Sequence, residues 1–202
     1  MDIIKTKADL KRVLKVEKEK LNIKRPFIMR ITYSEGYRVY RFFKNLRYLE
    51  YYLNKKKFLW DYIPLAWRYW NHRRMKLKYS FYIHPNTLDE GFHLVHSGFV
   101  RVAVFAKIGK NCTVLPRVLI GKKKPGIDNP EVNIGDNCYI GTGVTILGPI
   151  NIGNNVTIAA GSVVTQDVPD NCIIGGIPAK VLKHKNPAEA SPTEVPMEAL
   201  KK

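Results

Sequence analysis

The chain has 202 residues, with 34 Lys and Arg against 17 Asp and Glu, which gives a formal net charge of +17. Hydrophobic residues make up 45% and charged residues 25%, so the composition excludes a disordered chain and predicts one or two packed domains. There is no window of about 18 uncharged apolar residues and no apolar leader, so neither membrane spanning nor secretion is expected. Three cysteines without Cys-x-x-Cys spacing favour a reducing, cytoplasmic compartment over a disulfide framework.

The basic excess lies in the first 80 residues. Residues 1–80 hold 22 Lys and Arg against 7 Asp and Glu, a net of +15, whereas residues 81–202 hold 12 against 10, a net of +2. Sixteen of the 22 aromatic residues fall between Phe27 and Tyr79. We therefore predict a basic, aromatic-rich α-helical region over 1–80 and a second domain after it.

Helix signals dominate the first region. Asp9 is placed to cap a first helix, and the stretch RVYRFFKNLRYLEYYLNKKKF after Gly36 contains few turn residues. Aromatics surround this second helix, so other helices or a second subunit must cover several of its faces. The alternative is a surface held against an anionic membrane, at its inner face, or against an acidic glycan. Nucleic acid is not expected, because no DNA- or RNA-binding signature accompanies the charge.

A six-residue repeat runs through the second region. Aliphatic residues recur every six positions apart from one longer step, and small or β-branched residues recur four places after many of them. The aliphatic series is Ile108, Val114, Ile120, Ile134, Ile140, Ile146, Ile152, Ile158 and Val164. Such a hexapeptide repeat is typical of a β-helix, in which each repeat is one short strand and a corner, and the aliphatic side chain fills a narrow prism. The pattern predicts a mainly β architecture over 81–183.

One insertion interrupts this repeat. The step from Ile120 to Ile134 is 14 residues, and the extra segment, KKKPGIDNPE, contains Pro and Gly that suit an excursion from the prism. Insertions in repeat proteins often build a binding face, so the loop 121–133 is a candidate active-site loop. Residues 184–202 have the composition of a flexible tail.

Three motifs carry a resemblance to a known family. The stretches IGDNCYIGTGVTILG, VTIAAGSVVTQDVP and GGIPAKVL resemble the serine acetyltransferase branch of the hexapeptide-repeat acyltransferases. The chain looks especially like short members that modify capsular or exopolysaccharide. The resemblance implies a left-handed parallel β-helix, a homotrimer or a dimer of trimers, and active sites between subunits. It also implies acetyl-CoA as co-substrate, with no permanently bound cofactor.

His96 is the candidate catalytic base. It lies twelve residues before Ile108, on the repeat frame where an aliphatic residue is expected, and it matches the family's catalytic histidine. An imidazole suits general-base removal of a proton from an acceptor hydroxyl at neutral pH. His84 and His93 lie nearby, but no further histidine occurs until His184, so a metal site of three histidines is not expected.

The acceptor side departs from the serine enzymes. Tyr82 stands where the family has an aspartate that orients the histidine, and Asn129 stands where it has a second histidine before a proline. Asp89, Glu90 and Asp128 remain open as the orienting carboxylate. The enzyme would therefore lack some of the charged side chains that bind a free amino acid, so a neutral sugar hydroxyl is an alternative acceptor to serine. The chain also lacks the C-terminal isoleucine of the serine enzymes, so a cysteine synthase complex is not expected.

The resemblance also maps donor contacts. Backbone contacts with the pantetheine arm fall on Lys122, Thr142 and Ala160, with Gly121 and Gly141 beside them. Lys180 matches a basic position near the nucleotide phosphates, and a lysine there can pair with a phosphate.

The predicted function is therefore an acetyl-CoA-dependent O-acetyltransferase in which His96 is the base. Its acceptor is a small molecule or a glycan, either serine or a sugar of a polysaccharide precursor. The alternative hypothesis is a non-catalytic trimeric scaffold that binds membrane or glycan through its basic helical region.

Overall fold

The computed structural model describes residues 3–24, 26–32, 34–56 and 58–185. Its first part is helical, with α1 (Lys7–Lys20), α2 (Pro26–Ile31), α3 (Glu35–Asn54), a 3-10 turn (Leu59–Asp61) and α4 (Tyr62–Tyr79). The cap of α1 differs from the prediction. Thr6 is the N-cap, and Asp9 lies three residues later, where its carboxylate accepts the Thr6 amide in a reciprocal capping box.

Fourteen short strands follow from residue 81. In chain order they are β1 (Phe81–Ile83), β2 (His93–Leu94), β3 (Val100–Val102), β4 (Ala106–Ile108), β5 (Thr113–Val114), β6 (Val118–Lys122), β7 (Val132–Ile134), β8 (Tyr139–Ile140), β9 (Thr145–Gly148), β10 (Ile150–Ile152), β11 (Thr157–Ile158), β12 (Val163–Val164), β13 (Cys172–Gly176) and β14 (Ala179–His184). β14 thus extends to His184, one residue into the predicted tail, and the remainder of that tail after residue 185 lies outside the described residues.

The strands form three flat faces of a prism. Face 1 contains β1, β3, β6, β9 and β12, face 2 contains β4, β7 and β10, and face 3 contains β2, β5, β8, β11, β13 and β14. Each strand pairs in parallel with the strand one coil away, and β13 and β14 end the prism as an antiparallel pair. The fold is the left-handed parallel β-helix that the repeat and the resemblance predicted.

The aliphatic residues of the repeat fill the prism. All nine positions from Ile108 to Val164 are buried. Cys112 and Cys138 are buried beside them, where each thiol donates to a glycine carbonyl of the next coil. The corners between faces 2 and 3 carry Asn111, Asn137 and two further asparagines with φ near +56°, a left-handed conformation that asparagine tolerates well.

Helix α3 closes the first coil of the prism. Phe42 packs edge-on against Phe81 of β1, with ring centroids 5.2 Å apart. Arg47 is buried farther along the helix and donates to the carbonyls of Leu88 and Asp89, both at 2.8 Å. Its charge is balanced by Glu17 of α1 at 2.6 Å and by Glu50 of α3 at 2.9 Å. These contacts fix both the direction of α3 and the position of its N-terminus.

Candidate active site

His96 lies at the corner that joins face 3 to face 1. It follows β2, and its side chain is 64% exposed, so the imidazole is open to a substrate. Its Nδ1 lies 3.5 Å from Oε2 of Glu35. This carboxylate is none of the three that the sequence left open, because it belongs to the first residue of α3, 61 positions earlier in the chain.

Glu35 is held in place by the same corner. Its Oε1 accepts the backbone N–H of Ser97, the residue after His96. That amide, together with a smaller contribution from His96, holds the pKa of the Glu35 carboxyl below its usual value. Glu35 is therefore an anion at neutral pH, with one oxygen on the backbone of the corner and the other facing the imidazole.

The His96 corner begins a column of stacked corners. The amide of Val95 donates to Val114, that of Leu115 donates to Ile140, and that of Gly141 donates to Ile158. Counting one residue onward, His96 therefore shares the column with Pro116, Thr142 and Ala160. Successive coils are about 4.8 Å apart, so Thr142 lies about 10 Å from His96 along the prism and Ala160 about 14 Å.

Close backbone approach explains the small residues in this column. A Cβ added to Gly141 would lie 2.7 Å from the amide nitrogen of Ala160, which is too close for any side chain. The hydroxyl of Thr142 donates to the carbonyl of Pro116 at 2.8 Å. Thr142 and Ala160 are both exposed, so two small residues of the column lie open to solvent on the side that leads away from His96.

Comparisons with known proteins show what this chain is similar to. Residues 131–166 match the family model for bacterial transferase hexapeptide (six repeats). Over 103 residues the chain is 38% identical to a serine acetyltransferase of Synechococcus elongatus. The aligned region covers 50% of this chain and 41% of that protein. Residues 131–166 thus carry the hexapeptide repeat, and the chain is similar to serine acetyltransferases over about half of its length. It spans less than half the length of the curated relatives that it matches.

Solved structures match more of the chain than sequences do. A serine acetyltransferase of Brucella abortus in complex with coenzyme A superposes with a TM-score of 0.69 at 24% identity, over 89% of this chain and 70% of that one. Soybean serine acetyltransferase complexed with serine gives 0.66 at 27% identity, over 86% and 69%. Residues 81–202 are about three fifths of the chain, so the structural likeness extends beyond the hexapeptide-repeat region into the helices.

The predicted donor residues of the hexapeptide-repeat domain divide between two corners. Gly141, Thr142 and Ala160 lie in the His96 column, whereas Gly121 and Lys122 lie at the opposite end of face 1, where β6 pairs with β9. The segment outside the strands is shorter than the predicted loop 121–133, since β6 ends at Lys122 and β7 begins at Val132. Lys180 is exposed on β14, beyond the last parallel strand.

The predicted acceptor residues are not gathered around His96. Asp89 is buried; its backbone carbonyl accepts a hydrogen bond from Arg47, and its carboxylate accepts the amide of Glu90. Asp128 and Asn129 are exposed in the loop after β6. Tyr82 is half-buried on β1.

Glu90 forms ion pairs away from His96. Its carboxylate pairs with Arg12 of α1 and lies 3.5 Å from Nζ of Lys110. Within the described ranges, no three His, Cys, Asp or Glu side chains cluster so that they could hold a metal ion.

Proposed function

We propose that this protein transfers an acetyl group from acetyl-CoA to an acceptor hydroxyl, with His96 as general base. The observation that carries the proposal is the His96–Glu35 pair at the start of a column of small, exposed residues. The comparisons support it, because serine acetyltransferases are among the relatives and solved structures that resemble the chain.

The two ring nitrogens of His96 have different roles in this proposal: Nδ1 faces Glu35, and Nε2 acts as the base. Glu35 faces Nδ1, so it favours the tautomer in which Nδ1 carries the hydrogen and Nε2 is free to accept one. Nε2 removes the proton of the acceptor hydroxyl as its oxygen attacks the thioester carbonyl carbon. The carbon–sulfur bond then breaks, and the imidazolium returns the proton to the sulfur of coenzyme A. Glu35 stabilises the imidazolium between these steps and is a positioning residue, because it does not touch the reacting atoms.

The donor lies along the His96 column in this proposal. The small residues Gly141, Thr142 and Ala160 let the pantetheine arm run close to the backbone, with its thioester towards His96. Lys180 pairs with Gly175, at the far end of the column from His96. Lys122 lies at the opposite end of face 1, so it reaches the same donor only if a neighbouring subunit supplies it. The proposal therefore includes a homotrimer with sites between subunits, for which three chains of 23.2 kDa give about 70 kDa by light scattering. A fully active monomer would contradict shared sites.

A thiol-release assay tests the activity. Purified protein is given acetyl-CoA with serine, with free sugars, or with nucleotide- and lipid-linked sugars, and coenzyme A is measured. His96→Ala should lower turnover by about a hundredfold or more while the Kd for acetyl-CoA stays unchanged. His184→Ala, which removes an exposed histidine of β14, is the matched control. Near-normal turnover in His96→Ala would show that the base is wrongly assigned.

An exposed aromatic surface favours the membrane or glycan contact as a second role. Phe58, Leu59, Trp60, Ile63 and Trp67, at and after the 3-10 turn, are each more than half exposed. No helix in the part of the chain that the structure describes is long and apolar enough to cross a membrane. Aromatic and basic side chains together suit an interfacial position on anionic lipid. Salt-sensitive pelleting with phosphatidylglycerol vesicles, lost in Trp60→Ala, would support this role, and pelleting with neutral vesicles alone would contradict it.

A further inference from the structure

A cavity of about 310 Å³ lies between helix α4 and strand β1. Tyr69, Arg73 and Lys76 line it from one face of α4, because residues three and four apart on a helix are neighbours. Tyr82 and His84 line it from β1 and the corner that follows. The volume is at the lower end of the range for small-molecule sites.

The charges around this cavity are all positive. Lys76 and Arg73 are in its wall, and Arg101 lies beside Tyr82 because β1 and β3 pair at these two residues. No carboxylate is among the lining residues, and these three cations form no ion pair with any carboxylate in the described part of the chain. Burial, Arg101 and Arg73 all lower the pKa of Lys76, which shows that its neighbours repel its charge.

His72 lies in the wall of the cavity and is neutral. The side chain is 5% exposed, and Nε2 donates to the carbonyl of Ile83 at 3.1 Å. Nδ1 is then the unprotonated nitrogen, and it is buried without a hydrogen-bond partner in the protein. Burial lowers the pKa of His72 to about 4, so the ring adds no charge to the cavity.

We propose that this cavity is a binding site for the phosphate ester of a small hydroxylated ligand, of the size of a sugar phosphate. Lys76, Arg73 and Arg101 supply the charge, since lysine and arginine are the side chains that bind phosphate groups. The two tyrosines supply flat walls. Lys76 Nζ lies 5.7 Å from the centre of the Tyr82 ring, which does not neutralise its charge, so an uncharged ligand would leave the three cations without an anion.

The place of the cavity suggests what the phosphate ester does. The ring of Tyr82 packs against that of Phe99 with centroids 5.9 Å apart, and Phe99 is three residues after His96. The packed rings of Tyr82 and Phe99 thus connect the cavity to the segment that follows His96. On the proposed function, a phosphorylated acceptor would hold its phosphate here and offer a hydroxyl to His96.

Calorimetric titration with glucose 1-phosphate, and with glucose as the uncharged probe, tests the site. Lys76→Gln should weaken glucose 1-phosphate about tenfold to a hundredfold, as expected for loss of a charged hydrogen bond. Lys78→Gln is the matched control. It removes the same charge from the same helix, but Lys78 lies over the ring of Tyr79 and does not line the cavity. The affinity of Lys78→Gln for glucose 1-phosphate should differ from that of the wild type by less than about threefold. A second pair, Arg73→Gln against Arg74→Gln, repeats the comparison.

A second arm of the experiment uses phosphatidic acid vesicles, and it distinguishes a lipid headgroup from a soluble phosphate ester as the ligand. Binding of soluble glucose 1-phosphate that depends on Lys76 supports the proposal with a soluble ligand, and binding of vesicles alone that depends on Lys76 supports it with a lipid source. Equal effects of Lys76→Gln and Lys78→Gln in both arms overturn it. These are binding measurements, so they stand apart from turnover: an inactive protein that binds glucose 1-phosphate through Lys76 would refute the proposed function and leave this site intact.

Discussion

Replacing Glu35 by glutamine tests whether the helical region takes part in catalysis. Glutamine keeps an oxygen that can accept the Ser97 amide, so the corner stays anchored while the negative charge beside His96 is lost. Glu35→Ala removes both the charge and the anchor. Comparing the two variants therefore separates the electrostatic contribution of Glu35 from its contribution to the shape of the corner.

The expected effect follows from the distance between the two groups. Unit charges 3.5 Å apart attract by about 1 kcal/mol in a water-like dielectric and by about 5 kcal/mol at an effective dielectric of about 20. His96 is 64% and Glu35 44% exposed, so the water-like value applies before substrate binds, and bound acetyl-CoA would raise it. We take about 1 to 2 kcal/mol of imidazolium stabilisation. The kcat of Glu35→Gln should fall about fivefold to thirtyfold.

Steady-state thiol release, with whichever acceptor the panel identifies, measures this change. KM for acetyl-CoA should stay close to the wild-type value, because Glu35 acts on the imidazole and not on the donor. Glu19→Gln, an exposed carboxylate of α1, controls for the change in net charge. Glu35→Ala should lose more activity than Glu35→Gln. The reasoning fails if Glu35→Gln keeps kcat within twofold of wild type while His96→Ala is inactive.

Three further predictions concern stability and the donor groove. Arg47→Met should lower the free energy of unfolding by about 3 to 5 kcal/mol in urea titrations, since the buried Glu17 carboxylate loses its partner, and adding Glu17→Gln should restore part of the loss. His72 should cost about 2 kcal/mol of stability between pH 7.5 and pH 5, because the unfolded state takes up its proton near pH 6.5 and the folded state only near pH 4; His72→Gln should remove that part of the pH dependence. Gly141→Ala should weaken coenzyme A binding in a calorimetric titration and lower the melting temperature, whereas Gly121→Ala, with no atom closer than 3.5 Å to its new methyl group, should leave the melting temperature unchanged.

The β-helix was predictable because its constraints are local and periodic. Each repeat must place an aliphatic residue such as Ile140 inside the prism, so the spacing alone fixes which side chains are buried. Counting back in sixes from Ile108 predicted that His96 occupies an aliphatic position of the frame, and this was wrong: Leu94 occupies it, buried and paired with Val114, and His96 lies at the corner that follows. The insertion after Ile120 was visible as a break in the frame. Its bounds were less exact, because β6 continues to Lys122 and β7 begins at Val132, both inside the predicted loop 121–133.

Glu35 could not be predicted in the same way. In the sequence it is an ordinary acidic residue in the first turn of a helix, where it complements the helix dipole and carries no sign of a distant partner. Its place beside His96 depends on contacts far along α3, namely Phe42 on Phe81 and Arg47 on the carbonyl of Leu88. A long-range packing geometry of this kind leaves no periodic trace in the chain.

The dependence of Glu35 on α3 changes the role of the basic helical region. On sequence alone that region stood apart from the chemistry, as a surface for subunits, membrane or glycan. In the structure it supplies the carboxylate at His96 and, through α4, most of the wall of the phosphate-binding cavity. If both assignments hold, the β-helix provides the base and the donor groove, and the helices determine how the base is oriented and which acceptor reaches it. Differences in acceptor among similar β-helices would then follow from the helices that close the first coil.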